Sequence, residues 1–178
     1  MGIPRKPDLV MLFTGIICKE EILSKIHEIL SPLGEIEERS DILNFDDFSK
    51  YYQEEMGEGL KRLWLTFKGL RTPENMHILK LVTNKIEESF TINNKRTINI
   101  DPGYISLANV ILYSTKSYFH RIYVSDGIYA EVTLFFKKKE GFQPFPWTYP
   151  DYKTLEAVEF FNKARNRLYT ILRDTEIW

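Results

Sequence analysis

The chain has 178 residues, with 24 basic against 25 acidic side chains and a net charge of −1, which excludes a chain-wide electrostatic pull on nucleic acid or anionic membrane. Apolar residues make up 43% and charged ones 28%, both signs interspersed; that excludes disorder and predicts one domain over residues 1–178. A lone Cys18 excludes an internal disulfide, and no apolar run reaches the ~20 residues that span a bilayer.

The longest apolar run, Leu9 to Ile17, follows Arg5, Lys6 and Asp8 with no small-residue cleavage site. A buried first strand is therefore expected rather than a secretory leader, with the cytoplasm as compartment. Lys19 to Leu30 reads as a helix, with Ile22, Leu23, Ile26, Ile29 and Leu30 at helical spacing. Ile36 to Phe45 reads as a strand, and a short helix capped by Asp46 or Asp47 ends at Gly57. Leu60 to Phe67 alternates as a strand with Leu63, Leu65 and Phe67 on one side. A helix over 74–90 follows Pro73, its stripe Met76, Leu79, Val82, Ile86 and Phe90. Arg96 to Ile100 is a short strand, and Asp101-Pro102-Gly103-Tyr104 has the residues of a type II turn. Strands follow at Leu107–Thr115, Phe119–Val124 and Ile128–Phe136. A Pro- and aromatic-rich strap comes next, and a helix over Tyr152–Arg173 closes the chain.

This order predicts an α+β fold with a mostly antiparallel sheet: a ferredoxin-like βαββαβ start, a three-strand meander and a C-terminal helix, the helices on one side. In the meander, a three-residue loop ending at Gly127 pairs Val124 with Ile128, Tyr123 with Tyr129 and Arg121 with Glu131. The same logic pairs Tyr113 with Arg121. One face then carries Ala108, Val110, Leu112, Ile122, Val124, Ala130, Val132, Leu134 and Phe136 and belongs on the core. The other carries Asn109, Tyr113, Thr115, Arg121, Tyr123, Tyr129, Glu131 and Thr133. That polar face reads either as an outer sheet surface or as a pocket floor, roofed by the 141–150 strap or the Tyr51/Tyr52 helix. Ile111 and Phe135, which share it, favour cover.

Common chemical motifs are missing. The sequence has no GxxxxGK[ST] phosphate loop, no GxGxxG after the first strand, no GxSxG elbow and no CxxC pair. His27, His77 and His120 lack metal-ligand spacing, so no metal site and no cofactor are expected. His120 is the best placed of the three; in the meander register it faces the core opposite Val132. Glu131 is the candidate base and His120 the second catalytic candidate. Arg121 and Lys116 are the expected anion holders, with Tyr123, Tyr129 and Thr133 as hydrogen-bond donors. Glu55, in the last turn of a helix where the macrodipole disfavours a carboxylate, is expected to pair with Arg62. Asp101 either bonds the turn backbone or joins the site.

Phe45, Tyr51-Tyr52-Gln53-Glu54-Glu55-Met56-Gly57, Leu60 and Arg62 resemble the opening signature of a family of short bacterial and archaeal proteins catalogued as a domain of unknown function. Thr83-Asn84, Asn99 to Tyr104, Thr115-Lys116, His120 to Tyr123, Gly127 to Leu134 and Trp147 to Tyr152 extend the resemblance over nearly the whole chain. Some members carry the label "GTP-binding protein", so the resemblance implies a nucleotide. The residues oppose it: Asn84-Lys85-Ile86-Glu87 mimics a guanine-reading box but lies inside a helix with no phosphate loop. The expected function is a small-molecule binding protein or enzyme for an anionic, perhaps phosphorylated, ligand. The alternative is a non-catalytic interaction module. RNA binding is disfavoured by the lack of basic surplus.

Overall fold

The computed structural model describes residues 2–175. In chain order it runs β1 (Val10–Cys18), the single turns α1 (Glu20–Leu23) and α2 (Ile26–Ile29), β2 (Ile36–Arg39), β3 (Leu43–Asn44), α3 (Gln53–Met56), β4 (Lys61–Arg71) and α4 (Ile78–Ser89). A small hairpin follows, β5 (Thr91–Ile92) with β6 (Lys95–Arg96), then β7 (Ile98–Ile105), β8 (Asn109–Ser114), β9 (Ile122–Ser125), β10 (Ile128–Lys137), β11 (Gly141–Pro144) and α5 (Leu155–Asp174).

The main sheet has the order β11-β10-β8-β7-β1-β4-β2, with β3 beside β4 and β9 beside β10. Every pairing is antiparallel. Strands β1 and β2 both pair with β4, and β4 and β7 both pair with β1. Each parallel couple is thus split by an antiparallel strand, the ferredoxin-like βαββαβ connectivity that the sequence predicts.

Alternation along β1 separates two cores. Val10, Leu12, Ile16 and Cys18 join Leu63, Leu65, Phe67 and the apolar residues of α2 and α4. Met11 and Phe13 join Trp64, Leu134 and the inner face of α5, including Phe160, Phe161 and Leu168. The helices therefore lie on both faces of the sheet, against the expectation of one: β1 is apolar at nearly every position, so both its faces need cover. Thr154 caps α5 by accepting from Ala157 N at 3.2 Å.

Several local expectations are corrected. The 19–30 helix breaks at Ser24, whose hydroxyl donates to the Glu21 carbonyl, while Lys25 N bonds three residues back to Ile22 O, tightening the turn. Helix α4 starts at Ile78, because Asn75 takes a left-handed φ of 60°. Its expected stripe of Met76, Leu79, Val82, Ile86 and Phe90 does pack on the core, but Lys80, Thr83 and Glu87 are buried as well, on a polar strip beside it. Residues 98–105 form one continuous strand in place of the turn at Asp101–Tyr104. Gly103 serves close approach there, since a Cβ at this position would lie 2.0 Å from the Ile111 carbonyl oxygen.

The meander is not formed. Strand β8 pairs with β10 directly, and β9 lies on the opposite edge of β10, end to end with β11. The burial explains this. Val110, Ile111, Leu112 and Tyr113 are all buried, so β8 needs a strand on each side, whereas Ile122, Tyr123 and Val124 are exposed and suit an edge. The β9–β10 turn is a two-residue loop, Asp126 and Gly127 having φ of 51° and 75°. Ser125 pairs with Ile128, and a bulge at Val124 then restores the expected Tyr123–Tyr129 pair. In the β8–β10 ladder Leu112 opposes Glu131 and Tyr113 opposes Ala130, so Leu112 shares the face of Glu131 and Tyr113 moves to the α4-side core.

Candidate functional site

Strands β7 and β8 are joined only from Gly103–Leu112 to Ile105–Val110. Beyond that point Pro102 has no N–H to continue the ladder. Ile98–Pro102 stays with β1 and Tyr113–Ser114 with β10, so the sheet splits. The hollow is a cavity of about 450 Å³, closed over by the Tyr51/Tyr52 segment and by Trp147–Tyr152. That volume suits a small ligand.

One wall is built around Glu131, whose side chain is 1% exposed. Its Oε2 accepts from Arg121 Nε at 2.6 Å and lies 3.1 Å from His120 Nε2, and Oε1 accepts from Thr133 Oγ1 at 3.2 Å. His120 therefore leaves the expected core position and joins the site. Its ring lies flat between Tyr118 and Trp147, tilted 21° and 15° from them. With Nε2 facing Glu131, Nδ1 has no hydrogen-bond partner.

Arg121 reaches Glu131 as expected, but its other two nitrogens also bond within the protein. Nη1 donates to Ser114 Oγ and the Lys116 carbonyl, and Nη2 to Tyr149 Oη at 2.7 Å. Burial alone would lower its pKa; the bond to Glu131 more than offsets this and holds it above the ordinary value.

The opposite wall centres on Arg62, 1% exposed on β4. Its guanidinium lies 4.9 Å from the Trp64 ring centroid and 5.0 Å from that of Tyr152. Nε is 2.8 Å from Asp151 Oδ2, but off the N–H axis, so this pair is Coulombic and Nε and Nη1 stay without hydrogen-bond acceptors. Desolvation pulls its pKa down, and Asp151, Tyr152, Asp101 and Tyr52 more than restore it. Gly15 makes the room: a Cβ there would stand 2.8 Å from Nη2 and 2.9 Å from Nη1.

The floor is a polar web. Arg96 grips Glu55 with Nε and Nη2 at 2.7 and 2.8 Å and gives Nη1 to Glu87 at 2.7 Å. The Arg96 bonds hold Glu55 below its ordinary pKa. Glu87 Oε1 also accepts from Ile100 N, and Lys80 Nζ donates to Ile100 O, 3.5 Å from Asp101 Oδ1. Asp101 accepts from Asn99, whose own oxygen accepts from Tyr52. Desolvation raises the Tyr52 phenol. At the mouth, Lys116 Nζ donates to Tyr51 Oη at 2.8 Å.

A family model described as "Domain of unknown function (DUF4416)" matches residues 8–168. The chain belongs to this family. No curated protein and no solved structure matches it. The DUF4416 description assigns no activity and no nucleotide. Glu87 of the Asn84–Glu87 segment lies inside α4, spent on Arg96 and Ile100.

Of the expected site residues, Glu131, His120, Arg121, Lys116, Arg62 and Asp101 line the one cavity. Thr133 supports Glu131 from behind. Tyr123 and Tyr129 pack edge to face at 5.5 Å and do not line it. Glu55 is not the partner of Arg62: Arg96 takes Glu55, and Asp151 takes Arg62. The sequence reading missed Lys80, Arg96 and Asp151. The signal available was the Lys80-Thr83-Glu87 spacing, a polar stripe beside the apolar one on the same helix. Among the described residues no cluster of His, Cys, Asp or Glu is arranged to hold a metal ion, and no helix is long and apolar enough to cross a membrane.

Proposed function

We propose that the chain binds a small anionic molecule in this cavity, with Arg62 as the anchor and Lys116 as a mobile second charge at the mouth. One observation carries the reading: a buried guanidinium in the wall of a cavity, paired with Asp151 at Nε but with no protein acceptor at Nη1. Five cations line the space, but Arg121, Arg96 and Lys80 are already held by carboxylates and carbonyls. The sequence points first to Arg121 as the anchor; its engaged donors make it a positioning residue for Glu131 and His120 instead. A planar fork in a desolvated wall recognises carboxylate or phosphate with two parallel bonds. The aromatic rings of Tyr118, Trp147 and Tyr152 supply apolar contact. Glu131, itself bonded by Arg121, holds His120 through Nε2, so Nδ1 is the atom left to exchange a proton with a bound ligand.

The test is thermal unfolding and calorimetry with a panel of phosphate monoesters and carboxylates. A ligand at 100 times its Kd adds about 2.7 kcal/mol of stability. Lys116→Ala should weaken binding and its salt dependence while leaving unfolding unchanged. Arg62→Lys keeps the charge beside Asp151 but loses the fork, and should abolish binding in a folded protein. If no anion stabilises wild type, or Arg62→Lys binds equally well, the reading is wrong.

A further inference from the structure

The outer strands of the main sheet are β2, β3, β9 and β11, and all but β9 are protected, β3 by being only two residues long. Strand β2 carries Glu37, Glu38 and Arg39, and Arg167 and Lys163 of α5 reach over to those glutamates. Strand β11 begins at Gly141 and ends at Pro144. Charge, proline and cover are the usual ways of blunting an edge.

Strand β9 has none of them. Ile122-Tyr123-Val124-Ser125 contains no charged residue and no proline. It pairs with β10 on one side, and among the described residues no strand pairs with its other side. Its side chains are exposed on both faces: Ile122 is 74%, Tyr123 59% and Val124 44% exposed. The preceding loop adds Phe119, at 88%, and Tyr118, at 56%. These five residues form a continuous apolar strip along an open backbone edge.

We infer that β9 is the self-association surface of this protein, pairing antiparallel with β9 of a second copy across a two-fold axis. The area is sufficient. With ~200 Å² for a whole aromatic side chain, the three exposed rings offer about 400 Å² per copy. With Ile122 and Val124 the two copies together expose roughly 1,100 Å² of such surface, against the ~1,000 Å² that a specific interface needs. A two-fold operator places the same neutral strand on both sides, so no like charges meet. The pairing joins two sheets into one, satisfies the open backbone edge and sets the apolar side chains of the two strips against each other. Strand β9 offers no charge with which to select an acidic or basic partner, whereas a second β9 matches it in length, in lack of charge and in exposed apolar area.

This inference does not depend on the ligand. Phe119 packs on His120 at 4.9 Å and on Trp147 at 6.3 Å, so the second copy would also border the cavity wall.

Sedimentation velocity and light scattering over micromolar to submillimolar protein are the test, with Ile122→Lys and Phe119→Glu compared with wild type. Both positions are exposed, so the variants should fold, and their unfolding midpoints verify it. Wild type should show the doubled mass, and each variant should shift the dimer–monomer equilibrium at least tenfold toward monomer. A wild type that stays monomeric over the whole range overturns the proposal. So does a dimer that both folded variants leave intact, since it would use another surface.

Discussion

Arg62 and Asp151 form a buried ion pair whose worth lies in not being broken singly. Replacing Arg62 by Met leaves the Asp151 carboxylate, 6% exposed as a side chain, without its cation. Replacing Asp151 by Asn leaves the guanidinium with only the Trp64 and Tyr152 faces. Stranding one charge of a buried pair costs about 3–5 kcal/mol, a large share of the roughly 5–15 kcal/mol that holds a domain folded. Removing both charges, Arg62→Met with Asp151→Asn, takes away the uncompensated group along with the attraction. The double variant should therefore lie close to the less damaging single one, far from the sum of the two. Urea unfolding of the four proteins gives the cycle, with a coupling energy expected to match the more damaging single, about 3–5 kcal/mol. The slope with denaturant should not change, because the surface exposed on unfolding is the same. Additive losses, or single variants within about 0.5 kcal/mol of wild type as for a surface substitution, would show that the pair is not desolvated as the geometry indicates.

Acid should act through Glu55. Arg96 holds its folded pKa below the ordinary 4.5, so its contribution is present above that value and is lost as pH falls from about 4.5 through the lower folded value; Glu55→Gln should flatten the stability curve in that window, and an unchanged slope would refute it. Burial pushes the Cys18 thiol up to about 12, so the native protein should resist a thiol reagent at neutral pH and react once unfolded; fast stoichiometric labelling of folded protein would contradict the placement.

The ferredoxin-like half was legible because its signals are local. Leu63, Leu65 and Phe67 alternate, the β1 run is apolar throughout, and two helical patterns separate the strands. The meander failed because strand order is not a local property. Two neighbouring strands with a Gly-containing turn do pair, and β9 and β10 do so here. Which strand takes the other side of β10 depends on burial. The apolar quartet Val110–Tyr113 carries that information: alternation alone splits it between a core face and a polar face, whereas all four are buried. Glu131 and Arg121 still met. The bulge at Val124 corrected the loop length, and Arg121 approaches Glu131 from β9 whichever side β8 occupies.

The cavity itself could not have been read from residue types, because it rests on a place where two strands stop pairing. Asp101-Pro102-Gly103 has the composition of a turn, and chain reversal is the common reason for that composition. Here the same chemistry does something else. Proline withholds an N–H from a ladder, and glycine lets a neighbouring carbonyl come closer than any Cβ would allow. Together they end the β7–β8 pairing at Gly103–Leu112 without bending β7 away from β1. Asn99, Asp101 and Ser114, each on a strand, are then freed from facing a packed layer. Arg62 and Glu131, four strands apart in the sheet order, face one space. A polar side chain on a central strand is costly to bury unless it is answered. Glu131, Arg121, Arg96 and Glu87 are answered within the protein, and Arg62 only in part. That remaining N–H capacity, in a hollow made by the splitting of the sheet, is the physical reason for placing a ligand's anionic group there rather than on Arg121, each of whose nitrogens already bonds within the protein.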